Sequence, residues 1–218
     1  MYHIYPWEVV VMAILIGGLI YFKRQRAAQA LSKTGAGGRR TQTSEEAYMD
    51  LRRQAIETDP KRLVLTSELK PTDAYGALME MGISSSVVTL ACFADGDARV
   101  LYKAGGGMIG GISHENVRKV SREFLALAQR ALAGMTKATD HPLPGPDKLR
   151  FYVLTPRGVF TTETDRRLLG RAKSELSALY YSGQEVVAQM RQVEEQRPKN
   201  TFAPPPMPPP DEPEEAPA

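Results

Sequence analysis

The chain has 218 residues, 42% of them hydrophobic and 24% charged, with a formal net charge of +3 and a single cysteine. That length accommodates one domain of ordinary size with appendages. Cys92 has no partner for a disulfide scaffold, and the scattered His3, His114 and His141 supply no zinc or iron–sulfur ligand set. The mild charge is not that of a strong nucleic-acid reader.

The chain opens on an apolar run. Residues 5–22 read YPWEVVVMAILIGGLIYF, with no charge from Val9 to Phe22. Eighteen helical residues span ~27 Å, close to a hydrocarbon core of ~30 Å. Trp7 at one end and Tyr21 and Phe22 at the other are placed as interfacial aromatics. A cleaved signal peptide is the main competitor, favoured by the small-residue pattern Ala28-Gln29-Ala30. Against it, no Lys or Arg precedes the run, whereas Lys23, Arg24 and Arg26 follow it at once. Those cations hold the downstream chain on the cytoplasmic side. The expectation is a transmembrane anchor over residues 1–22, with the N-terminus outside. Ala13 and Gly17 form a small-xxx-small pair that lets two such helices approach closely in lipid.

Residues 23–44 carry six cations and no acid, with Gly35, Gly37 and Gly38 in the middle. A flexible linker of this kind lies near anionic headgroups, at ~1 kcal/mol per basic side chain close to the surface. No aromatic residue interleaves the charges, so nucleic acid is not the expected partner.

Residues 45–196 read as a cytoplasmic α/β domain. Thr43 and Glu46 make a capping box, opening a helix to about residue 57 with Tyr48, Leu51 and Ala55 on its apolar stripe. Pro60 ends it. The spacing of Tyr75, Leu78, Met79 and Met81 predicts a second short helix from residue 72 or 73 to 81, closed by Gly82. Residues 87–94, VVTLACFA, form the clearest strand, and Asp95-Gly96 turns it into a return strand over 99–104. A glycine-rich stretch follows, then Ser113 as N-cap of a helix running to about residue 134, with Val117, Val120, Phe124, Leu127, Ala128 and Ala131 on its core face. Residues 149–154 and 159–164 form a second hairpin around Thr155-Pro156-Arg157-Gly158. A last helix over 177–195 places Leu179, Tyr180, Gly183, Val187, Met190 and Val193 on one stripe. The expected class is α+β: a mainly antiparallel sheet of two hairpins covered by amphipathic helices.

One motif invites a chemical reading. Gly105, Gly107 and Gly110 match G-x-G-x-x-G, and with Ser113 they lead into a helix whose first amides could hold a phosphate. The preceding strand, however, belongs to a hairpin, and no acid about twenty residues onward would hold a ribose. The plainer reading is a flexible crossover. Glu115 beside His114 suits a first-turn acid facing the helix dipole, with His114 exposed at the surface. Asp95 and Asp97 suit a hairpin turn better than a calcium loop. Cys92, within an apolar strand, reads as an inert core thiol. No catalytic constellation, metal site or cofactor site is expected. Residues 197–218 hold nine prolines from Pro198 on and four acids, the composition of a disordered tail with polyproline character.

The order helix, hairpin, helix, hairpin, helix over residues 72–195, with the stretch SSVVTLACFADGDARVLYKAGGG, resembles the Roadblock/dynein-light-chain and longin type of profilin-like domain. The resemblance implies an interaction module that dimerises and serves as a platform for membrane complexes; it transfers no individual residue. The expected function is therefore that of a single-pass membrane protein whose cytoplasmic domain binds proteins, as an adaptor or complex subunit, with a homodimer among the expected assemblies. The alternative is a membrane-tethered nucleotide- or phosphometabolite-binding enzyme using residues 105–115.

Overall fold

The computed structural model describes residues 42–65, 68–169 and 174–196. The anchor residues Trp7, Ala13, Gly17, Lys23, Arg24 and Arg26, the basic linker up to residue 41 and the proline-rich tail lie outside the described residues. Among the described residues no helix is long and apolar enough to cross a membrane.

The first helix, α1 (Ser44–Ile56), begins as its sequence predicts: the Thr43 side chain accepts from the Glu46 amide while Glu46 Oε2 accepts from the Thr43 amide. Four strands then meander: β1 (Gly76–Ile83), β2 (Ser86–Phe93), β3 (Ala98–Tyr102) and β4 (Gly107–Ile109). Helix α2 (Glu115–Ala131) crosses back, a two-residue strand β5 (Thr136–Lys137) follows, and β6 (Lys148–Thr155) and β7 (Gly158–Asp165) form the second hairpin. Helix α3 (Glu175–Gln196) ends the described domain. All seven strands join one antiparallel sheet in the order β4-β3-β2-β1-β6-β7-β5.

Both faces of the sheet are covered. On one, Met79, Leu90, Cys92, Val100, Phe151 and Val153 meet Val117, Phe124 and Ala128 of α2 and Leu179, Val187 and Met190 of α3. The α2 stripe also takes in Ser121 and Leu125, whereas Val120 and Leu127 are half-buried at its margin. On the other face, Ala55 and Ile56 of α1 pack with Leu78, Ala91, Phe93, Tyr152 and Leu154. Each fully buried large apolar side chain contributes about 1.5–3 kcal/mol relative to exposure.

Several expectations need correction. Residues 72–81 are not helical; residues 76–83 form the central strand β1. Both faces of this strand are buried, with Ala77, Met79 and Met81 on the α2/α3 side and Leu78 on the α1 side, so the alternation that marks a half-exposed strand is missing. Gly82 does not close a helix: a Cβ there would lie 1.9 Å from the Gly145 carbonyl oxygen, which crosses directly over the strand. The return strand ends at Tyr102, and the glycine-rich stretch itself yields a further strand, β4. Ser113 is not the N-cap of α2. It ends a 3₁₀ turn, Gly111–Ser113, and the extended His114 takes the cap position without a side-chain cap bond. His114 is half-buried there rather than exposed. Gly82→Ala is expected to destabilise the domain by about 1–3 kcal/mol, because backbone on both sides must separate. A chemical-denaturation midpoint lowered at an unchanged slope is the outcome to look for.

Candidate functional site

The glycines of the sequence motif are spread along one edge of the sheet. Gly105 and Gly106 make the β3–β4 turn at positive φ (110° and 82°), closed by the Gly105 amide donating to the Tyr102 carbonyl (2.8 Å) and the Tyr102 amide donating to the Gly106 carbonyl (3.1 Å). Gly107 lies within β4, opposite Leu101, and Gly110 with Ser113 follows at the strand's far end, where α2 begins. A three-residue strand spans ~10 Å, so Gly105 sits at the opposite end of β4 from the helix N-terminus. At that terminus the Arg118 guanidinium bonds Glu115 and also donates to the Ile112 carbonyl oxygen at 2.7 Å.

A buried polar cluster lies elsewhere among the described residues, between α1 and the centre of the sheet, and its central pair, Arg52 and Glu80, carries no signal in the sequence pattern. Glu80 sits in the middle of β1 with 0% exposure, and Arg52 reaches it from α1 with 4% exposure. Arg52 Nε donates to Glu80 Oε1 at 2.6 Å and Nη2 donates to Oε2 at 2.9 Å, the two-pronged geometry that suits a guanidinium and a carboxylate. The Thr89 hydroxyl, opposite Glu80 on β2, donates to Oε1 at 3.3 Å and lies 2.8 Å from the Tyr48 hydroxyl of α1. Tyr152 on β6 donates to the Pro142 carbonyl at 2.8 Å, with the Arg52 guanidinium over its ring and the His141 ring against its edge.

Local sequence explains the placement. Tyr48, Arg52 and Ala55 recur at helical spacing and therefore share one face of α1. Glu80 lies between Met79 and Met81, and strand alternation sends it to the face opposite theirs, where α1 packs. Burial, then the Glu80 charge, pushes the Tyr48 and Tyr152 phenols up to about 12, so both remain protonated donors at neutral pH. Burial pushes the Glu80 carboxyl up against the pull of Arg52 and Thr89. With both carboxylate oxygens already engaged, the cluster is a closed structural network and exposes no free base.

Two cavities flank the fold. One of about 300 Å³ borders α1 and is lined by Met49, Asp50, Arg52, Arg53, Ile56, Glu57 and His141, with Asp50 and Arg53 paired at 2.9 Å. Another of about 320 Å³ lies near Gln129, Thr155, Arg157 and Phe160. There the Gln129 side chain ties the chain before β1, donating to the Thr72 carbonyl at 3.1 Å and accepting from the Ala74 amide. Among the described residues no three His, Cys, Asp or Glu side chains are gathered to hold a metal ion. Cys92 is fully buried, and burial pushes its thiol up.

No protein-family model, curated protein or solved structure matches this chain.

The Arg52–Glu80 pair makes a sharp energetic statement. Removing one partner leaves a buried charge alone, at about 3–5 kcal/mol, whereas replacing both with apolar side chains is often neutral or better. Arg52→Met and Glu80→Leu are each expected to destabilise strongly, and the double variant to recover most of that loss. A double-mutant cycle on unfolding free energies checks this. Additive single effects would mean that the two side chains act independently.

Proposed function

We infer that this chain is a single-pass membrane protein whose α/β domain faces the cytoplasm and binds other proteins, as an adaptor or a subunit of a membrane complex. The observation that carries the reading is the uncharged run from Val9 to Phe22 followed at once by Lys23, Arg24 and Arg26. Taken from Tyr5, with Glu8 at its outer end, the segment reaches 18 residues and ~27 Å as a helix, enough to cross a bilayer, and the cations resist translocation.

The domain supports the second half of the reading. Its two sheet faces are filled by its own helices, and its buried polar cluster is internally satisfied. What it offers to other molecules is its rim: the sheet edges, the outer helix faces and exposed apolar side chains such as Ile109, Ile112 and Tyr181. Half-open strand edges and exposed apolar side chains are features that protein partners cover.

The topology is directly testable, because the one native cysteine is buried and silent. A cysteine introduced at the exposed Gln54 is expected to resist a membrane-impermeant maleimide in intact cells and to react after permeabilisation. Labelling in intact cells would reverse the orientation. Release of the protein by an alkaline carbonate wash would remove the anchor.

A further inference from the structure

Sheet edges are usually guarded by charge, proline or a covering element, since they present unpaired peptide groups to any passing strand. One edge of this sheet follows that rule. Beyond its two-residue contact with β5, β7 carries Glu163 and Asp165, and β5 itself ends on Lys137. The other edge does not. Residues 104–113 read AGGGMIGGIS, ten residues without a charge or a proline, and they contain the outermost strand β4. Ile109 is 51% exposed and Ile112 38% exposed beside it.

The hydrogen-bond phase of this edge can be read from the ladder. The Tyr102 amide donates to the Gly106 carbonyl, and pairing continues through Leu101 with Gly107, Val100 with Met108 and Arg99 with Ile109. In an antiparallel ladder bonded and non-bonded pairs alternate, so Met108 bonds inward to Val100 while the amides and carbonyls of Gly107 and Ile109 point outward. Met108 sends its side chain into the core under α2 and α3. Ile109, its neighbour, therefore lies on the α1 face of the sheet.

We propose that β4 is a self-complementary docking edge, on which a second copy of this chain pairs antiparallel through a twofold axis at Met108. In that register Gly107 of each copy faces Ile109 of the other, and every outward peptide group is used, giving four hydrogen bonds. The side chains fit as well: each Ile109 packs over the bare Gly107 backbone of the second copy, on the α1 face. The nearest charges oppose nothing, because Lys103 is bound to Glu45 (3.1 Å) and Arg99 to Asp97 (2.9 Å). The axis runs perpendicular to the sheet, so both copies keep α1 on the same side. The first residue of α1, Ser44, thus lies on the same side of the sheet in both copies, as two anchors in one membrane require.

Four hydrogen bonds and two isoleucines make a weak contact between free molecules. The proposal therefore rests on the tethered reading above, since confinement to a membrane raises effective concentration by orders of magnitude. The test uses the full chain in its membrane. Strand spacings put the two Ile109 positions roughly 8 Å apart on one face, within reach of a short bismaleimide. Ile109→Cys is expected to cross-link into a dimer, whereas Lys137→Cys on the opposite edge is not. Copies carrying Ile109→Glu and different affinity tags are expected to co-purify at least tenfold less than wild-type copies, with an unchanged unfolding midpoint, since the side chain is half exposed and the new acid lies opposite Arg99 on β3. Absence of the Ile109 cross-link, or cross-linking at Lys137 in its place, overturns the edge pairing. Flotation of the same membranes keeps the two readings apart. A chain that floats without cross-linking loses the β4 contact alone; one that cross-links at Ile109 but washes off the membrane loses the tether alone.

Discussion

Glu80 stands at the centre of the middle strand with no exposed surface, and a carboxylate in such a place costs several kcal/mol unless its charge is met. Arg52 meets it, and Arg52 belongs to a different element. The consequence is that α1 and the sheet share one electrostatic requirement. α1 buries few large apolar side chains of its own, chiefly Tyr48 and Ile56. Its seat on the sheet depends on the guanidinium, on the Tyr48–Thr89 hydroxyl contact and on the Lys103–Glu45 ion pair at its first turn. By contrast, α2 and α3 are held by a continuous apolar layer. One face of the sheet is thus specified by shape, and the other by a smaller apolar cluster together with charge and hydrogen-bond geometry.

That division suits the tethered domain we propose. α1 is the first described helix of the chain, so on that reading force or orientation from the membrane side enters the fold through it. A hydrogen-bonded ion pair is directional in a way that an apolar contact is not, and it sets α1 in one register over β1 and β2. The sheet is oriented with it, and so are its two lateral edges. The guarded edge at β7 and the uncharged edge at β4 then have different consequences for assembly, because charge on an edge strand discourages pairing and its absence permits it.

Much of the fold is legible in the sequence, and the misses have physical causes. The capping box at Thr43, the Asp-Gly turn after β2, the Pro-Arg turn before Gly158 and the stripes of α2 and α3 all announce themselves, because each is a local signal answered locally. β1 does not. Its residues are covered on both sides and hydrogen-bonded to strands on both edges, and Leu78, Met79 and Met81 fit helical spacing as well as they fit a buried strand. Glu80 conceals itself for the same reason: a lone acid in an apolar run reads as a solvated position until Arg52, twenty-eight residues earlier, is brought over it. β4 is hidden by glycine, whose freedom at Gly105 and Gly106 makes a tight turn look like an open loop. Gly82 looks like a helix terminator because the Gly145 carbonyl that requires it arrives from sixty-three residues away.

The shared requirement of Glu80 and Arg52 implies that α1 opens only when the centre of the sheet opens. Hydrogen exchange on the full-length chain, read separately for amides in α1 and in β1, measures this most directly. Protection of the last two turns of α1 comparable to that of β1 is the expected result. Rapid exchange throughout α1 beside a fully protected β1 would contradict it, and would reduce the ion pair to an ornament on an independently stable sheet.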